Sequence, residues 1–152
     1  MNNSSPAYLD GRAVYIVDGS RTPFLKAQGR PGPFSAADLA VAVGKALLAR
    51  QPFEPQALDE VVLGCVIPGP DEVNIARLVA LRLGCGRQMP AWTVQRNCGS
   101  GMQAIDSAAT AIAYGRADLV LAGGTEAMSH APVLLPAKTV ELLGAWQKAR
   151  ST

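Results

Sequence analysis

With 152 residues, 49% of them hydrophobic and 17% charged, the chain can bury the core of one domain and is too apolar for a disordered polymer. A formal net charge of +2 without a lysine or arginine run argues against nucleic acid as a partner, and no apolar stretch is long enough to span a bilayer. Met1 to Asp10 is polar, without the apolar core of a secretion signal, and the three cysteines (65, 85 and 98) are an odd number without metal-like spacing. Reduced thiols in a cytoplasmic compartment, with no metal site, are the expectation.

Ala13-Val-Tyr-Ile-Val17, closed by Asp18-Gly19, has the pattern of a buried strand. Arg21-Thr-Pro-Phe24 and the Gly/Pro-rich stretch to Pro33 form a loop. Ser35 with Asp38 has the form of a capping box, and Leu39, Val43, Ala46 and Leu47 follow at helical spacing until Pro52. Val61 to Ile67 is a second apolar strand, closed by Pro68. Asn74 can cap a helix carrying Ile75, Leu78, Val79 and Leu83, with Gly84 as its stop.

Ala91-Trp-Thr-Val94 is a third strand, and Asp118 to Gly124 a fourth. The helix between them, roughly Met102 to Tyr114, carries small residues all round, which predicts close packing inside the protein. Strands alternating with helices predict an α/β layered fold with a largely parallel sheet. After Pro132 and Pro136, a helix within 133–148 places Val140, Leu143 and Gln147 on one face, with Leu142 and Trp146 close by.

The segment Val94 to Ala104 puts Cys98 where an apolar strand gives way to small residues and then to a helix. A thiol at such a junction sees the orphan N–H groups and the positive dipole end of the helix, a setting that favours the reactive thiolate. Gly99 and Gly101, lacking Cβ atoms, keep the approach to the sulfur open. Cys98 is therefore the candidate nucleophile.

Four segments in order resemble the N-terminal half of the thiolase family: Arg21-Thr-Pro-Phe24, Asn74-Ile-Ala-Arg77, Asn97-Cys-Gly-Ser-Gly-Met-Gln-Ala104 and Gly123-Gly-Thr-Glu-Ala-Met-Ser129. They cover nearly the whole chain from Ala13. The resemblance implies two similar αβαβα halves with a loop domain inserted in the first, of which this chain holds the N-terminal half, incomplete at its C-terminus. On that pattern residues 1–12 are a flexible N-terminus, 13–130 the N-terminal domain and 131–152 the start of the loop domain.

The resemblance further implies that Cys98 accepts an acyl group from a 3-ketoacyl-CoA, as in β-oxidation, or runs the reverse condensation, its own backbone N–H contributing to an oxyanion hole. Coenzyme A is then the co-substrate, no cofactor is permanently bound, and no residue stands out for CoA binding. The family's histidine base and second cysteine come from glycine-rich motifs absent from these 152 residues, so the isolated polypeptide is expected to be inactive. Gln95 stands where the family usually has a smaller Asn, Ser or Thr.

Implied partners are acyl-CoA, further copies in a dimer or tetramer through the Ala91–Arg96 edge, a second thiolase half, or a hydratase–dehydrogenase subunit through Pro132–Pro136. The alternatives are a non-catalytic truncated fragment or interaction module, and a 3-ketoacyl carrier-protein synthase-like condensing enzyme.

Other residues carry blander expectations. Cys65 is a core thiol, Cys85 a loop residue, and the lone His130 a packed or solvated side chain. Glu126 makes a structural hydrogen bond, and Arg21 and Arg77 anchor loops. Residues 97–101 are not a phosphate loop, since no G-x-x-x-x-G-K-[ST] pattern is present.

Overall fold

The computed structural model describes residues 11–27 and 29–150. Three parallel strands, β1 (Glu60–Gly64), β2 (Ala91–Val94) and β3 (Val120–Gly124), form a sheet in the order β2-β1-β3. Val61 lies opposite Ala91 and Leu121, and Gly64 opposite Val94 and Gly124. β1 is central, and its unbroken apolar run is what a strand covered on both faces requires.

Side chains alternate along β1, so its faces differ. Val61 and Leu63, with Cys65 just beyond, enter a core shared with α1 (Ala36–Leu48) and α2 (Ile75–Arg82). Gly64 faces α3 (Ser100–Ala113), which packs across all three strands. Ile75, Val61 and Val79 are buried almost completely, and each such side chain contributes roughly 1.5–3 kcal/mol. The order β2-β1-β3 makes the chain turn back across β1 after β2, which opens a crevice at the carboxyl ends of the strands.

Helix starts follow the sequence signals. Ser35 Oγ accepts the Asp38 N–H while the Asp38 carboxylate accepts the Ser35 N–H, completing the capping box. Asn74 Oδ1 accepts the Arg77 N–H and also the Thr93 hydroxyl, so the cap of α2 is tied to β2.

Several boundaries differ from the sequence reading. Residues 13–17 form no strand: Tyr15, Ile16 and Val17 are exposed, and hydrogen bonds and ion pairs with other described residues fasten the segment near its ends. Arg12 donates to the Ile112 and Ala117 carbonyls and pairs with Asp118, while Asp18 pairs with Arg50. A continuous apolar run signals burial but does not name what buries it, and none of the described residues pairs with this one. Residues 1–10 of the expected flexible N-terminus lie outside the described residues.

The second strand stops at Gly64 because the amides of Val66 and Ile67 turn to the Glu126 carboxylate. The fourth starts at Val120 because Asp59 takes the N–H groups of Asp118 and Leu119. Those two backbone hydrogen bonds, Asp118 first, hold the Asp59 carboxyl below its usual range.

α3 buries one stripe, Ser100, Ala104, Ala108 and Ala111, while Met102 and Tyr114 face outward. The expectation of burial all round fails because only one layer of described residues covers this helix. α4 (Ala137–Arg150) starts after Pro136, whose carbonyl accepts the first helical amides, and Val140, Leu142, Leu143 and Trp146 are exposed on it. Among the described residues no helix is long and apolar enough to cross a membrane.

Candidate active site

Cys98 sits in the turn between β2 and α3, and the turn is built by its neighbours. Asn97 adopts φ 48°, a left-handed conformation that asparagine tolerates better than most residues. Ser100 is almost wholly buried; its hydroxyl accepts the Arg96 N–H at 2.8 Å and donates to the Asn97 carbonyl at 2.6 Å. The amides of Gly99 and Ser100 donate back to the Arg96 and Asn97 carbonyls. This pins the turn from beneath and leaves the Cys98 thiol exposed ahead of the positive end of the α3 dipole.

α3 reaches this position because three glycines let backbone meet backbone. A Cβ on Gly64 would lie 2.3 Å from the Ser100 carbonyl carbon and 2.6 Å from the Gly101 nitrogen. One on Gly124 would lie 3.0 Å from the Gly101 Cα. A Cβ on Gly101 would lie 3.7 Å from the Gly124 Cα, so this glycine sits against β3 as well as beside Cys98.

The carboxyl ends of β1 and β3 and the Cys98 turn border a cleft of about 1340 Å³, lined by Gly64, Cys65, Cys98, Gly101, Gly124 and Glu126 among others. Thr125 ties its walls together: its N–H donates to the Gly64 carbonyl at 3.0 Å and its hydroxyl to the Ala36 carbonyl at 2.7 Å. Glu126 accepts the N–H groups of Val66 at 2.8 Å and Ile67 at 3.2 Å, with the Cys65 thiol donating at 3.6 Å.

Burial, and then the adjacent Glu126 carboxylate, push the Cys65 thiol up to about 12. At pH 8 its thiolate is then about one part in ten thousand. Iodoacetamide at pH 8 is therefore expected to label exposed Cys98 at least about 100-fold faster than Cys65. Peptide mass mapping over a time course checks this, and comparable labelling of the two sites would overturn it.

The other residues singled out from the sequence are engaged with partners of their own or buried. His130 is engaged through Nε2 with the Gly32 carbonyl at 2.8 Å. Arg77 donates to the Met89 and Arg87 carbonyls, anchoring the loop before β2. Arg21 lies over the Phe24 ring at 4.7 Å, beside the cleft. Cys85 is a buried thiol between two glycines of positive φ. Ser100, Thr125 and Gly64 were not singled out from sequence. A glycine inside an apolar strand, which marks a close approach of backbone, was the available signal for Gly64.

Residues 14–150 match the family described as thiolase, N-terminal domain. The β-ketoadipyl-CoA thiolase of Pseudomonas knackmussii is 43% identical over 143 residues, covering 93% of this chain and 35% of that protein. A crystal structure of Bacillus anthracis acetyl-CoA acetyltransferase matches with a TM-score of 0.65 and 44% identity, over 68% of this chain and 26% of that one. Human mitochondrial 3-ketoacyl-CoA thiolase in complex with CoA matches with a TM-score of 0.64 and 39% identity, over 67% and 26% of the two chains.

Fold and sequence together define a thiolase-type α/β layer. This chain belongs to the thiolase family and carries its N-terminal half-fold. It spans about a third of the length of the curated relatives it matches.

Proposed function

We propose that Cys98 is the acyl-accepting nucleophile of a thiolase-type acyltransferase that uses coenzyme A as co-substrate. The observation that carries this reading is an exposed thiol on a pinned strand-to-helix turn, beside a cleft at the carboxyl ends of a parallel sheet, in a chain of this family. The Cys98 thiolate attacks the 3-keto carbonyl of a 3-ketoacyl-CoA, and the bond between carbons 2 and 3 breaks. Its electron pair goes to carbon 2, which takes a proton and leaves as acetyl-CoA, while the shortened acyl group remains as a thioester. The thiolate of a second CoA attacks that thioester, carries the acyl group away and restores Cys98. The backbone N–H of Cys98 is assigned to the oxyanion.

Both steps need a base for the thiol proton and an acid for carbon 2. Neither His130, held by Gly32, nor Cys65, held protonated beside Glu126, is placed to serve. The proposal assigns those roles to a second thiolase half, so the 152-residue polypeptide alone turns over at least about a thousandfold slower than a complete enzyme. It takes 131–152 as the start of an inserted loop domain, β2 as a self-pairing edge in a dimer or tetramer, and a reducing cytoplasmic compartment for the three free thiols.

The exposed Tyr15, Ile16, Val17, Leu142 and Trp146 favour a second reading for the isolated polypeptide: an interaction module whose exposed apolar side chains are covered by another chain. Incubation of the native protein with acetyl-CoA, followed by peptide mass mapping, separates the two. An acetyl thioester on the Cys98 peptide supports the nucleophile, and its absence in an otherwise active enzyme rules it out.

A further inference from the structure

Residues 20–27 and 29–34 run along one side of the cleft as a strap, with Phe24, Pro31, Pro33 and Phe34 among the lining side chains. Within this strap regular structure is absent, and the hydrogen bonds that tie it to the rest of the described residues both fall on Gly32. The Gly32 N–H donates to Ser129 Oγ at 3.1 Å, and the Gly32 carbonyl meets His130 Nε2 at 2.8 Å. Two adjacent side chains thus satisfy both polar groups of one peptide residue, as a neighbouring strand would do with its backbone.

A Cβ on Gly32 would stand 3.4 Å from Ser129 Oγ, an ordinary contact, so the two segments are held by the hydrogen bonds and not by the missing side chain. Ser129 and His130 are themselves held, since the 3-10 turn Met128–His130 closes on the Ala127 carbonyl and Glu126 is locked to the exit of β1. The fixed end of the contact is therefore the 125–130 segment, and the strap is the part it holds.

We propose that Ser129 and His130 are positioning residues that clasp the strap at Gly32, set the width of the cleft beside Cys98, and so select acyl groups by size. The selection rests on the thiolase reading of Cys98; the clasp itself does not. It gives the lone histidine a part in the site without contact with the reacting atoms. Pro31 and Pro33 on either side of Gly32 stiffen the backbone there, so the hold is transmitted along the strap instead of being absorbed at one residue.

The test uses the full native protein carrying Ser129→Ala with His130→Ala, and separately His130→Gln, whose amide N–H keeps a donor for the Gly32 carbonyl. In the double variant, exchange of the Gly32 amide with deuterium is expected to rise about tenfold. Cys98 alkylation by a bulky maleimide, relative to iodoacetamide, rises roughly fivefold, as does kcat/KM for a long-chain relative to a short-chain 3-ketoacyl-CoA. His130→Gln stays within about twofold of wild type in all three.

An unchanged Gly32 exchange rate overturns the clasp. Faster exchange with both size ratios unchanged overturns its control of the cleft. If exchange and the alkylation ratio move as expected but wild type forms no acyl thioester on Cys98, the clasp stands and the thiolase reading falls.

Discussion

Cys98→Ala is expected to abolish acyl transfer in the native enzyme, with a loss of at least about 10⁴-fold in turnover and no acyl thioester detectable. The size of the effect follows from the chemistry. Without the sulfur there is no atom to hold the acyl group between the two half-reactions, so the two easier steps collapse into one that the site is not built for. The fold is expected to be unharmed, because Cys98 is exposed and its turn is pinned by Ser100, Arg96 and Asn97. Urea unfolding of Cys98→Ala should fall within about 0.5 kcal/mol of wild type. A variant that keeps more than about 1% of the wild-type rate would remove Cys98 from the mechanism. An equally inactive variant that is unfolded would leave the wild-type acyl-thioester measurement to decide.

That the position of Cys98 at a strand-to-helix junction was legible from the sequence has a local reason. Apolar strand, small residues and helix follow one another within a dozen positions, so the junction and its thiol are visible without tertiary information. The same holds for α1 and α2, whose caps Ser35 and Asn74 lie within three residues of the amides they satisfy. What was not legible depends on partners far along the chain. Asp59 trims β3 across 59 and 60 positions, and Glu126 trims β1 across 60 and 59. Thr125 and His130 tie the cleft walls across 89 and 98. Residues 13–17 show the converse limit: their apolar pattern was read as a buried strand, but they are exposed and form none, because pattern alone does not supply the cover.

Gly64→Ala should be the most damaging single methyl addition in the chain. The added Cβ meets the carbonyl carbon and oxygen of Ser100 and the nitrogen of Gly101 at 2.3 to 2.6 Å, all of them backbone atoms, so no side chain can swing aside. Relief requires the first turn of α3 to lift from β1 by about an ångström, which breaks its contact with Gly124 and loosens the hydroxyl of Ser100 beneath the Cys98 turn. Overpacking of this kind costs about 3 kcal/mol, and displacement of a reacting group by that distance costs about 100-fold in rate. The two effects are separable, since the rate is measured on folded protein and the stability by urea unfolding. Gly69→Ala is the control: its Cβ would meet only Glu72 Oε2, at 3.9 Å, and a change within about 0.5 kcal/mol is expected. If Gly64→Ala matched Gly69→Ala in both stability and rate, the close seating of α3 on the sheet would not be what holds Cys98 in place. A glycine normally weakens a strand by offering nothing to pack. At position 64 that absence is what allows a helix end, and the thiol it carries, to stand at the mouth of the sheet.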